Sequence, residues 1–261
     1  MLIVVSPAKA LDFESPLPTR KFSEPEHLDR TRELVSVMRS KSPDDLSSMM
    51  DISPQLGELN FERFQDWSPP FTPDNARPAV LAFNGDTYIG LDARNSFSER
   101  DYTHAQKVLR ILSGLHGVLR PLDLIQPYRL EMGSKVETDR GGSLYDFWGG
   151  DVTDRLNADL AASPGADVLV NLASNEYFSV VQPDRIDGRV ITPRFEDAKG
   201  DGEHKVVGFF AKRARGAMAG WIVRERIKSA RALADFDELG YRYAPDVSTR
   251  AEPVFRRRSD A

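Results

Sequence analysis

Apolar residues along this chain come in short, separated runs whose period changes from segment to segment. Leu2-Ile3-Val4-Val5 is continuously apolar and stops at Ser6-Pro7, the pattern of a buried strand. Residues 26–39 and 44–50 have helical spacing, and Ser42-Pro43 supplies a cap and a first-turn proline for the second. Pro78 to Phe83 predicts another strand. Ser98, with an acid at Asp101, predicts a capped helix running to about Leu112. Helices are expected over 144–162 and 211–228, strands at 168–170, 189–194, 205–210, 241–243 and 254–255. The stretch Trp67 to Asp74 is polar and proline-rich. It reads as a long surface loop, because the apolar material on either side is too thin for two cores. The expectation is therefore one domain, 1–261, of mixed α/β (α+β) class, with spacing too irregular for a regular barrel.

Composition narrows the chemistry. Charged residues are 29% and hydrophobic ones 40%, ordinary for a globular protein. No apolar run approaches the ~18 residues that suggest a membrane span. With no cysteine there are no disulfides, thiolate metal sites or thiol nucleophiles, which fits a cytoplasmic protein. A net charge of −5 argues against a generic polycation, yet Lys205 to Arg231 holds eight Lys/Arg against one acid, Glu225. Residues 24–66 carry the opposite bias.

Five segments could carry function. In Leu112-Ser113-Gly114-Leu115-His116-Gly117-Val118-Leu119-Arg120-Pro121, two glycines three apart follow an expected helix. Such a turn could offer backbone N–H groups to a phosphate beside Arg120, in the manner of a helix-hairpin-helix. A helix C-cap and a tight turn account for the same glycines. The helix from Ala211 presents Lys212, Arg213 and Arg215 flanking a stripe of Ala214, Met218, Trp221 and Ile222, with Gly216 and Gly220 away from that stripe. Two helix glycines imply close approach of something, a packed backbone or a ligand. Ser6-Pro7-Ala8-Lys9 follows the first strand, where α/β sheets place ligands, and is not a Walker loop. Arg129 and Glu131, two apart, suit either an ion-paired extended segment or a site. Asn171 to Phe178 forms another polar strand-end loop. The four histidines are scattered, and neither a metal site nor a cofactor fingerprint is found.

Together these segments resemble the YaaA peroxide-stress family. The matching stretches also include Phe71-Thr72-Pro73-Asp74-Asn75-Ala76-Arg77, Ala82-Phe83-Asn84-Gly85-Asp86, Pro127 to Gly133, Asn171-Leu172-Ala173-Ser174 and Ala211 to Gly216, in order along nearly the whole chain. The resemblance implies a single domain of non-Rossmann shape with a helix-hairpin-helix-like element and a positively charged cleft. It also implies DNA binding with little sequence preference and protection from peroxide, associated with low free iron. Without a thiol the chain cannot work as a peroxiredoxin or thiol sensor.

The resulting expectation is a monomeric, cytoplasmic DNA-binding protein without cofactor or metal. Lys9, Arg120, Arg129, Lys212, Arg213 and Arg215 would meet phosphates, with Gly114, His116 and Gly117 donating at the turn. Its rivals are a nucleotide- or nucleic-acid-processing enzyme using Lys9, Arg129, Glu131, Asn171 and Glu176, with Glu131 as general base, and an iron-handling carboxylate protein.

Overall fold

A computed structural model describes residues 1–200 and 202–259. Its centre is a five-stranded sheet of β1 (Leu2–Val5), β2 (Leu109–Ser113), β3 (Gly117–Leu119), β4 (Val168–Leu172) and β5 (Arg189–Ile191), in the order β3-β2-β1-β4-β5. β2, β1, β4 and β5 run parallel, and only β3 is antiparallel to its neighbour. Every residue of β1, β2 and β4 is buried, which is why these strands are mostly apolar, with Arg110, Ser113 and Asn171 as buried polar exceptions. A smaller sheet joins β6 (Arg194–Lys199), β7 (Arg242–Tyr243) and β8 (Val254–Ser259) in the order β6-β8-β7. Phe195 and Phe255 from it, with Tyr241 just before β7, share one hydrophobic cluster with the central strands.

The main helices are α1 (Leu28–Arg39), α2 (Pro43–Met50), α3 (Pro54–Asp66), α4 (Asp86–Leu91), α5 (Glu99–Val108), α6 (Leu144–Trp148), α7 (Asp151–Ala162) and α8 (Gly208–Arg224). The expected caps form: Ser42 with Asp45, and Ser98 with Asp101, each make a reciprocal capping box. Among the described residues no helix is long and apolar enough to cross a membrane.

Several boundaries differ from the sequence reading. The helix from Ser98 stops at Val108, and Leu109 to Leu119 forms the β2–β3 hairpin, with Ile111 opposite Leu119 and Ser113 opposite Gly117. The helix-hairpin-helix-like element expected at Gly114–Gly117 is therefore a β-hairpin: the apolar positions 108, 111, 112 and 115 match helical spacing, yet Arg110 and Ser113 are buried too, as a strand buried on both faces allows. A short turn joining two packed helices occurs instead between α2 and α3, with Asp51 left-handed at φ 49°. Pro78–Phe83 contains a helical turn, Ala79–Ala82, between two short bridges. Gly149 and Gly150 divide the expected 144–162 helix. Lys205 contributes only a bridge to Asp197, and Gly208 already starts α8, so 205–210 is not a strand.

Candidate functional site at the ends of the parallel strands

Strand order reverses at β1: the chain passes from β1 to β2 on one side and later to β4 on the other. Beyond the carboxyl ends of strands at such a reversal an open α/β sheet leaves a crevice. Here that crevice is a cavity of about 370 Å³. Ser6 to Ala10 from the end of β1, Asn84 to Thr87 leading into α4, Tyr128 to Glu131, and Ser174 to Tyr177 after β4 line it, with Lys212 and Arg215 of α8. Ser6 ties the two strand ends together, because its hydroxyl accepts the Ser174 N–H at 2.8 Å. Ser174 in turn caps the helical turn that carries Glu176.

The charges in the cavity are unequally paired. Glu131 Oε1 accepts from Lys9 Nζ and from Arg129 Nη2, both at 2.9 Å. Glu176 Oε1 accepts the Gly133 N–H at 3.1 Å. Asp86 sits in the first turn of α4, where a carboxylate complements the positive end of the helix. Lys212 and Arg215 have no hydrogen bond or ion pair to any other described residue. Arg215 is half-buried, and burial pushes its guanidinium below the usual arginine value.

The remaining residues singled out from sequence lie elsewhere. Gly114 is buried against the Leu130 carbonyl, where any side chain would collide, so its role is to seat the segment carrying Arg129 and Glu131. Gly117, at φ +67°, packs on the Trp148 ring. His116 is fully buried between Phe71 and Tyr128, with Nδ1 at 3.1 Å from Thr31 Oγ1, and burial lowers its pKa to about 3. It backs Tyr128, whose hydroxyl bonds Ser113 and whose ring lines the cavity. Arg120 is held by Glu26, Asp123 and the Glu24 carbonyl, away from the cavity. Arg213 is exposed on α8 but does not line it. Asn171 is buried and bonds the Ala173 N–H and Thr192, so of the residues grouped for catalysis Lys9, Arg129, Glu131 and Glu176 converge and Asn171 does not.

Sequence reasoning missed Asn84, Asp86 and Tyr128 as lining residues, whereas the polar strand-end loop singled out at Asn171–Phe178 does supply Ser174, Glu176 and Tyr177. The helix glycines have a packing explanation. Gly216 lies against the Thr87 carbonyl and Gly90 against that of Arg213, so α4 and α8 touch backbone to backbone. Gly216 and Gly220 thus face the core, and α8 buries most of its circumference rather than one stripe. This contact brings Asp86 and Thr87 beside Lys212 and Arg215. Among the described residues no group of three or more His, Asp or Glu is placed to hold a metal ion.

Comparison with known proteins agrees with the arrangement of motifs. Residues 1–247 match the family model described as peroxide stress protein YaaA. The chain is 53% identical over 257 residues to a UPF0246 protein of Cellvibrio japonicus, covering 98% of each. It is similarly 50% and 49% identical to UPF0246 proteins of two strains of Aliivibrio fischeri, again over 98% of each chain.

Proposed function

Because this chain belongs to the family of the peroxide stress protein YaaA, we propose that it serves under peroxide stress by holding DNA at the cavity beyond β1 and β4, through the phosphate backbone. Covering the DNA there would limit oxidative damage to it. The observation that carries the reading is the unpartnered pair Lys212 and Arg215. A half-buried guanidinium without a carboxylate is costly unless an anion completes it. These cations also stand in the first two turns of α8, which has no acid in its first turn. A helix N-terminus already carries positive charge, so this placement disfavours the empty state and favours an arriving phosphate. Lys9 and Arg129, which share the single carboxylate of Glu131, are available to a second phosphate.

Such binding depends on release of counterions. Fluorescence anisotropy with a labelled duplex, over a range of salt concentrations, should give an affinity that falls steeply with salt, by about 0.9 in log K per log unit for each phosphate met. Lys212→Ala with Arg215→Ala should lower affinity and reduce that slope by about two, with an unchanged thermal midpoint. Absent or salt-insensitive binding would overturn the proposal.

A further inference from the structure

Two large aromatic side chains stand uncovered beside the cavity. Phe209 is 54% and Phe210 40% exposed, their rings edge to face at 5.5 Å. The Arg257 guanidinium covers one side of Phe210, 4.8 Å from its centroid, whereas among the described residues Phe209 has no ring or cation contact besides Phe210. Phe209 precedes Lys212 and Arg213 by three and four positions, so it lies on their side of α8, one turn nearer the open end. Among the described residues no side chain caps that end, and nothing lies within 4 Å of where a Gly208 side chain would start. No acid occurs from Lys205 to Arg224. An apolar protein partner would leave Lys212 and Arg213, on the same side of α8, without an anion. A polyanion with flat apolar faces would use both.

We propose that Phe209 and Phe210 form a stacking platform for the bases of an unpaired DNA strand whose phosphates run past Lys212 into the cavity. This rests on the DNA-binding reading and adds the strand state to it. In a duplex each base face is already covered by its neighbour, so an aromatic ring finds a free face only where bases are unpaired. The cavity therefore takes phosphates of either form, and the aromatic lip favours single strands or melted sites.

The test compares three fluorescein-labelled probes of equal length: a single-stranded oligothymidylate 12-mer, an abasic 12-mer with the same phosphates, and a 12-base-pair duplex. Wild-type protein should bind the oligothymidylate more tightly than the abasic strand. Phe209→Ala should weaken oligothymidylate binding about fivefold or more and leave the other two unchanged, while Phe209→Trp retains it. Equal affinity of the wild type for the thymidylate and abasic strands overturns the platform. So does an equal effect of Phe209→Ala on all three probes, or none. Should Phe209→Ala alter only the sedimentation of the DNA-free protein, the patch is a self-association surface and the proposal falls. Salt-sensitive duplex binding together with any of these sinks the stacking alone; failure of the wild type to bind any probe sinks the DNA reading beneath it.

Discussion

The molecule contains two clusters of cations that are built differently. Beneath β2 and α7, Arg110 meets Asp159 through two parallel bonds of 2.6 and 2.7 Å. Arg155 binds the same carboxylate and Glu26; Glu26 binds Arg120; and Arg120 binds Asp123. Burial alone would raise the Asp159 pKa, but the bonds from Arg110 and Arg155 hold it below the usual carboxylate range. Every cation there has a carboxylate. At the cavity Lys9 and Arg129 share one carboxylate, and Lys212 and Arg215 have none. The difference separates charge that the fold completes by itself from charge that it leaves without a carboxylate. It also explains why Arg120, adjacent in sequence to an attractive glycine turn, belongs to the first cluster.

Three substitutions test that contrast. Asp159→Ala would leave Arg110 buried with no counter-charge and should cost about 3–5 kcal/mol, measured by urea denaturation. A loss below about 1 kcal/mol would erase the distinction between the clusters. Arg215→Met should weaken duplex binding about tenfold or more, the worth of a bond to a charged group, without lowering the thermal midpoint. A clear fall in that midpoint would mean that Arg215 is a structural cation after all. Glu131→Gln should have the smallest effect, raising duplex affinity a few-fold by releasing Lys9 and Arg129 from the carboxylate they share. Decreased affinity would show instead that Glu131 orients those two cations for binding.

Local signals were legible where one interaction range decided the outcome. The capping boxes at Ser42 and Ser98, the buried strands at Leu2 and Val168, and α8 with its cations follow from residue type and spacing. The Leu109–Leu119 segment was misread because its apolar positions match helical spacing while its polar residues Arg110, Ser113 and His116 are buried as well, and pairing with β1 settles it as a strand. His116 looked like a ligand contact beside two glycines. In three dimensions it is a core residue stacked behind Tyr128.

The amino-acid sequence by itself determined the α/β class, the missing thiol chemistry, the concentration of positive charge near α8 and the family. It determined these because they depend on composition, short-range periodicity or matched order of motifs. Tertiary structure alone decided which cations share a cavity, since Lys9, Arg129, Lys212 and Arg215 are brought together by strand order at β1 and by the glycine contact between α4 and α8. Whether a charged side chain finds a partner depends on neighbours far away along the chain, and no local pattern reports them.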